Sequence, residues 1–151
     1  MSSSLTEVTF LLADDDADDK TLFCEALSEI DPTIVCHTAS DGKEALAILS
    51  EKQIKKPGII FLDINMPVMD GWQCLGKLKE HHDHKDIPVI MYSTSSYQRD
   101  IELALENGAF CFFTKPSDYR ELRSILRLIA TTPVNSLSDA VKEFKNLKFT
   151  K

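Results

Sequence analysis

The chain has no CxxC pair. Its four cysteines, Cys24, Cys36, Cys74 and Cys111, stand far apart in apolar contexts that suit buried thiols in a reducing compartment. An excess of positive charge is also missing: 17 basic against 24 acidic residues leave a net charge of −7, which argues against a nucleic-acid surface. No apolar run approaches the roughly 20 residues of a membrane span. The amino-terminal MSSSLTEVTF lacks the charged segment followed by a long apolar stretch that marks a signal peptide. The expectation is a cytoplasmic protein, neither secreted nor membrane-spanning. Internal repeats and low-complexity segments are absent as well. What remains, 151 residues of which 43% are hydrophobic, is the composition of one globular domain that needs no covalent staple.

Five short apolar runs alternate with segments of helical period. They are VTFLLA (8–13), TIVCHTA (33–39), GIIFLD (58–63), IPVIMY (87–92) and AFCFFT (109–114). Each is rich in β-branched or aromatic residues, and the alternation predicts a parallel sheet covered by helices. Leu22, Phe23, Ala26, Leu27 and Ile30 recur at three- and four-residue spacing and give the first helix one buried stripe. Asp41 with Glu44, and Ser95 with Gln98, resemble capping boxes. Asn107-Gly108 suits a left-handed helix exit, and Ser117 is the expected cap of a last helix over 118–130. Right-handed crossovers then make an α/β, doubly wound, five-stranded open sheet. Residues 5–130 form this domain, and 131–151 form a tail in which 136–147 carries a weak helical stripe of Leu137, Ala140, Val141, Phe144 and Leu147.

Five carboxylates crowd six positions in LLADDDADD (11–19). A calcium loop would place Asp14, Asp16, Asp18 and Glu25 at ligand positions, but Asp19 stands where that loop needs glycine, and a β-rich segment precedes it. In an open parallel sheet ligands bind beyond the carboxyl ends of the strands. Asp14 and Asp15 leave the first strand there, Asp63 ends the third, Ser93 follows the fourth and Lys115 the fifth. Clustered acids repel unless a cation joins them, and an all-oxygen site suits Mg²⁺. A lysine and a hydroxyl beside it suit phosphoryl oxygens. Asp16, Asp18 and Asp19 read as charges favouring a helix start. The HHDH cluster (81–84) reads as a solvated turn in preference to a transition-metal site, because adjacent side chains at a helix end diverge.

The acidic pair at 14–15, LDINMPVMDGW (62–72), PVIMYSTS (88–95) and TKP (114–116) together resemble the receiver domain of two-component response regulators. The resemblance implies a flavodoxin-like fold with strand order 2-1-3-4-5. It implies phosphorylation of Asp63 by a histidine kinase or histidine phosphotransfer protein, with Mg²⁺ held by Asp14, Asp15, Asp63 and the backbone carbonyl of Asn65. Ser93 and Lys115 would bond phosphoryl oxygens, and Phe112 would reorient with Ser93 as a switch. Serine stands at 93 where threonine is commoner, Thr94 is bulkier than usual, and Phe112 lacks the hydroxyl of a tyrosine.

The expected function is therefore a stand-alone response regulator: a phosphoacceptor with self-catalysed phosphorylation and slow self-dephosphorylation, otherwise not an enzyme. It would signal through residues 93–130 to a protein target whose identity the sequence does not give, with a homodimer left open and no nucleic acid or membrane involved. Two alternatives stand beside it. One is a docking module of the same fold that is never phosphorylated. The other is an aspartate-dependent phosphatase, disfavoured because Asn65 occupies the position where such enzymes place a second aspartate as general acid. By strand alternation Phe110 and Phe112 are expected on one face, with Cys111 and Phe113 on the other.

Overall fold

A computed structural model describes residues 8–140 and 147–149, with side chains through Leu137. Strands β1 (Val8–Ala13), β2 (Ile34–Ala39), β3 (Ile59–Leu62), β4 (Val89–Ser93) and β5 (Cys111–Thr114) pair in parallel in the order β2-β1-β3-β4-β5. Helices α1 (Ala17–Ile30), α2 (Gly42–Ser50), α3 (Gly71–Glu80), α4 (Gln98–Glu106) and α5 (Tyr119–Thr131) follow them in turn. This is the doubly wound order 2-1-3-4-5 that the resemblance implies. A further strand, β6 (Leu147–Phe149), joins the outer edge of β5 in antiparallel register, Phe113 opposite Leu147 and Cys111 opposite Phe149.

Strand parity divides the core in two. Phe10, Leu12, Phe61, Tyr92 and Phe113 face α1 and α5, against Phe23, Leu27, Ile125 and Leu126. Leu11, Leu62, Met91 and Phe112 face the other helices, against Ala45, Leu75, Leu78 and Ala104. Both faces are covered, which is why the strands read as continuous apolar runs and not as alternating ones. Among the described residues no helix is long and apolar enough to cross a membrane.

Local chemistry sets the helix ends, in places differently from expectation. Asp41 accepts the Glu44 N–H at 2.8 Å, while the Glu44 side chain reaches Ser40 N–H instead of the cap itself. A complete capping box forms at α3, between Asp70 and Gln73. No box forms at Ser95 and Gln98. Helix α4 is capped by Tyr97 without a side-chain bond, and Ser95 Oγ donates to Asp100 at 2.6 Å and accepts from Tyr97 N–H at 3.2 Å. Asp118, not Ser117, caps α5 by accepting the Arg120 N–H, because the chain leaving Pro116 turns one residue later. Gly108 takes φ +99° and so supplies the left-handed exit expected of Asn107-Gly108.

The stripe expected as one helix over 136–147 divides. Val134–Ala140 forms α6, with Leu137 buried in the α1–α5 core, and Leu147 begins β6. Val141 and Phe144 lie outside the described residues. Leu147 leaves the helical pattern to pair in antiparallel register with the outer edge of β5. Phe110 also departs from expectation: it lies one residue before β5, outside the strand's alternation, and packs on the Phe113 side of the sheet. Cys24 on α1 and Cys36 on β2 are half-buried free thiols with their sulfurs 2.8 Å apart, whereas Cys74 and Cys111 are buried.

Candidate functional site

All five parallel strands end at one edge of the sheet, and the backbone pairing there runs slightly past the strands. Asp14 N–H donates to Ala39 C=O at 3.0 Å, Asp63 N–H to Ala13 C=O at 2.9 Å, and Lys115 N–H to Ser93 C=O at 2.7 Å. Asp14, Asp63 and Lys115 therefore leave a backbone that is still held in the sheet, so their positions are fixed by the fold and not by a free loop.

Lys115 Nζ lies at the centre. It is 2.8 Å from Asp14 Oδ2, 2.8 Å from Asp19 Oδ2 and 3.5 Å from Asp63 Oδ2, and 5.2 Å from the centre of the Tyr92 ring. Burial disfavours the lysine charge, but the bonds to Asp14 and Asp19 outweigh it and hold the ammonium above its ordinary pKa. Asp14 is wholly buried, and its other oxygen accepts the Asp16 N–H at 3.0 Å. Asp63 is buried too. Burial drives its carboxyl up to about 6, with the Asp14 charge adding to the rise and Lys115 opposing it.

Oxygens of Asp14, Asp15 and Asp63 all lie within 4.8 Å of one another, with Asp15 exposed to solvent. Three carboxylates and no nitrogen or sulfur form a hard donor set, and among the described residues the cation set against Asp14 and Asp63 is a lysine already shared among them. The residues thus fit a hard divalent cation. Asn65 lies on the exposed loop two residues after Asp63. Ser93, the last residue of β4, is buried, and its Oγ accepts the Ser95 N–H at 3.2 Å. Phe112 is wholly buried beside Met91 and the α2–α4 helices, three residues from Lys115.

The loop from Asp63 into α3 is tightly constrained. Gly71 N–H donates to Ile64 C=O at 2.8 Å, and a Cβ at position 71 would lie 2.2 Å from the Asp63 carbonyl oxygen. Only glycine permits that approach. Between them, Val68 takes φ +67° in a three-residue turn closed by Met69 N–H on Pro67 C=O at 2.6 Å. A β-branched residue is strained there.

Asp19 stands in the first turn of α1 as expected, but sequence reasoning missed its second role. Its backbone does serve the helix start, donating to the Asp16 cap at 2.9 Å, but its carboxylate turns inward to Lys115. A signal was present: Asp19 precedes buried Phe23 by four residues, so it extends the buried stripe of α1 toward the strand ends. His81, His82 and Asp83 also bring ligand atoms within 4.8 Å, at the far end of α3, but all three are exposed. His81 Nδ1 there accepts the Asp83 N–H at 3.1 Å, and its ring stacks on His84.

Residues 10–127 match the response regulator receiver domain family. Response regulator Rcp1 of Synechocystis sp. is 32% identical over 118 residues, covering 74% of this chain and 79% of that protein. A protein-glutamate methylesterase/protein-glutamine glutaminase of Methanococcoides burtonii is 34% identical over 93% of this chain, which spans only 39% of that protein's length. Among solved structures, the phosphorylated cyanobacterial phytochrome response regulator RcpA superposes with a TM-score of 0.76 at 30% identity, covering 82% of this chain and 91% of that one. The Mn²⁺-bound form of response regulator Rcp1 superposes with a TM-score of 0.70 at 25% identity, covering 95% and 99%.

Proposed function

Because the chain belongs to the response regulator receiver family, we propose that it is a signalling switch that accepts a phosphoryl group on Asp63 from a histidine kinase or histidine phosphotransfer protein. The observation that carries this reading is the meeting of Asp63, Asp14, Asp15 and Lys115 at one strand edge. An Asp63 oxygen attacks the phosphorus of a phosphohistidine. The P–N bond breaks, its electron pair stays on the imidazole, which takes up a proton, and an acyl phosphate forms. Little covalent work is asked of the protein in such a transfer; alignment and charge neutralisation do most of it. Mg²⁺ held by Asp14, Asp15, Asp63 and the Asn65 carbonyl would supply positive charge against the phosphoryl oxygens, and the Mn²⁺-bound Rcp1 structure supports a divalent cation in this fold.

Lys115 donates to one phosphoryl oxygen and Ser93 to another. Ser93 Oγ accepts the Ser95 N–H while its own O–H donates to the phosphoryl group, so a shift of the hydroxyl toward phosphate carries with it the loop that leads into α4. The added charge of about −1.5 to −2 biases that loop and the surface of residues 93–130 toward a protein target. With Asn65 in place of an acid, turnover is slow and the chain acts as a phosphoacceptor, not a phosphatase. Cytoplasmic placement and a Mg²⁺-dependent aspartyl phosphate follow from the same reading.

Incubation with acetyl phosphate and Mg²⁺, followed by intact mass, tests it. One added phosphoryl group, absent without Mg²⁺ and absent in Asp63→Asn, is the expected result. No addition to the wild-type chain would favour a docking module that is never phosphorylated, and multiple turnover would favour a phosphatase.

A further inference from the structure

An ammonium has three N–H donors, and Lys115 has three carboxylates around it. They are not equal partners. Asp14 and Asp19 each receive a full-strength bond at 2.8 Å, while Asp63, the acceptor, stands off at 3.5 Å. All three partners are carboxylates, yet the three contacts are unequal. The lysine backbone is pinned by its N–H on Ser93 C=O, so the direction of the side chain is set by whichever carboxylates pull hardest. Asp19 pulls from the first turn of α1.

We infer that Asp19 is a positioning residue that holds the Lys115 ammonium off the acceptor carboxylate, keeping an Asp63 oxygen free for the cation and for attack on phosphorus. The inference rests on the phosphoacceptor reading and deepens it. At 3.5 Å the lysine does not mask the nucleophile, yet a phosphoryl oxygen carried on Asp63 falls within its reach. With Asp19 gone, the freed donor turns to Asp63, and a lysine closed onto that oxygen competes with the metal for it. Asp19→Asn keeps the backbone bond to Asp16 that starts the helix and removes only the charge.

A plain field effect of one lost negative charge would also weaken cation binding, so the test is a double-mutant cycle. Wild type, Asp19→Asn, Lys115→Ala and the double variant are titrated with Mg²⁺ by calorimetry. Loss of one charge-assisted bond that acts through the lysine should weaken Mg²⁺ binding about three- to tenfold when Lys115 is present and less than about twofold when it is alanine. Asp19→Glu should restore most of the affinity. Equal losses in both backgrounds, or none in either, would overturn the inference. The same cycle on metal-free melting temperature reads the Asp19–Lys115 pair alone, and additivity there would overturn the inference whatever Asp63 does. A wild-type chain that takes no phosphate would count against the phosphoacceptor reading and not against the lysine's placement.

Discussion

Gly71→Ala is the substitution whose cost the geometry fixes most directly. A Cβ at 71 would sit 2.2 Å from the Asp63 carbonyl oxygen and 2.9 Å from Ile64 Cα, both backbone atoms that cannot rotate away. Ordinary contact begins about 1 Å further out, so α3 must shift outward or the Asp63 loop must move. Overpacking of this kind costs about 1–3 kcal/mol. Stretching the 2.8 Å bond from Gly71 N–H to Ile64 C=O adds up to about 1 kcal/mol. Alanine's better helix propensity returns at most about 1 kcal/mol. A net loss of about 2 kcal/mol lowers the melting temperature of a chain this size by about 4–8 °C. The control lies one turn further along: Gly76 is exposed on the same helix with nothing within 4 Å of an added Cβ. Gly76→Ala should raise the melting temperature by about 2–4 °C on propensity alone. Thermal unfolding followed by circular dichroism reads both, and phosphorylation by acetyl phosphate should slow in Gly71→Ala alone, since the displaced carbonyl is that of the acceptor itself. Equal stability in the two variants would refute the steric argument.

Asp63 is raised to about 6, so in the metal-free protein the folded state holds its proton longer than the unfolded state, and this group's contribution to stability falls as pH rises from about 4 to 6. Asp63→Asn should accordingly melt above wild type at pH 7 without metal and show little difference at pH 4, while Mg²⁺ affinity of the wild type should climb between pH 5 and 7; a flat profile in thermal unfolding and calorimetry would count against the burial argument. Val68 sits at φ +67° with its side chain in solvent, so Val68→Asn should relieve about 1 kcal/mol and raise the melting temperature by about 2–4 °C. Truncation after Ala130 removes Leu137 from the core and β6 from the sheet, and should lower the melting temperature while leaving phosphorylation of Asp63 intact; loss of phosphotransfer in the truncated chain would place the tail in the active machinery.

What could be read in the sequence follows from the range of each interaction. The β1 run was legible to the residue because both faces of the strand are buried, and Asp14, Asp63, Ser93 and Lys115 could be placed together because parallel strands deliver their ends to one edge. Asp19 was only half legible: its spacing to Phe23 puts it on the buried stripe, but a side chain at a helix start reads as a charge for the dipole until a partner 96 residues away is known. Ser95 failed for the same reason in miniature: its hydroxyl prefers Asp100 to the cap position. Leu147 fitted the helical stripe by spacing, and nothing local in the sequence reveals that a β5 edge is waiting for it.

That edge bears on how the molecule behaves in company. A bare β5 would offer a row of unpaired amides and carbonyls along Cys111, Phe112 and Phe113, an apolar template for another chain to zip onto. With β6 laid antiparallel along it, the parallel sheet is closed on that side by a three-residue strand of opposite sense, too short to propagate pairing. The tail strand thus acts against runaway self-association, and a chain clipped before Leu147 should be sticky in proportion to its concentration long before it is unfolded.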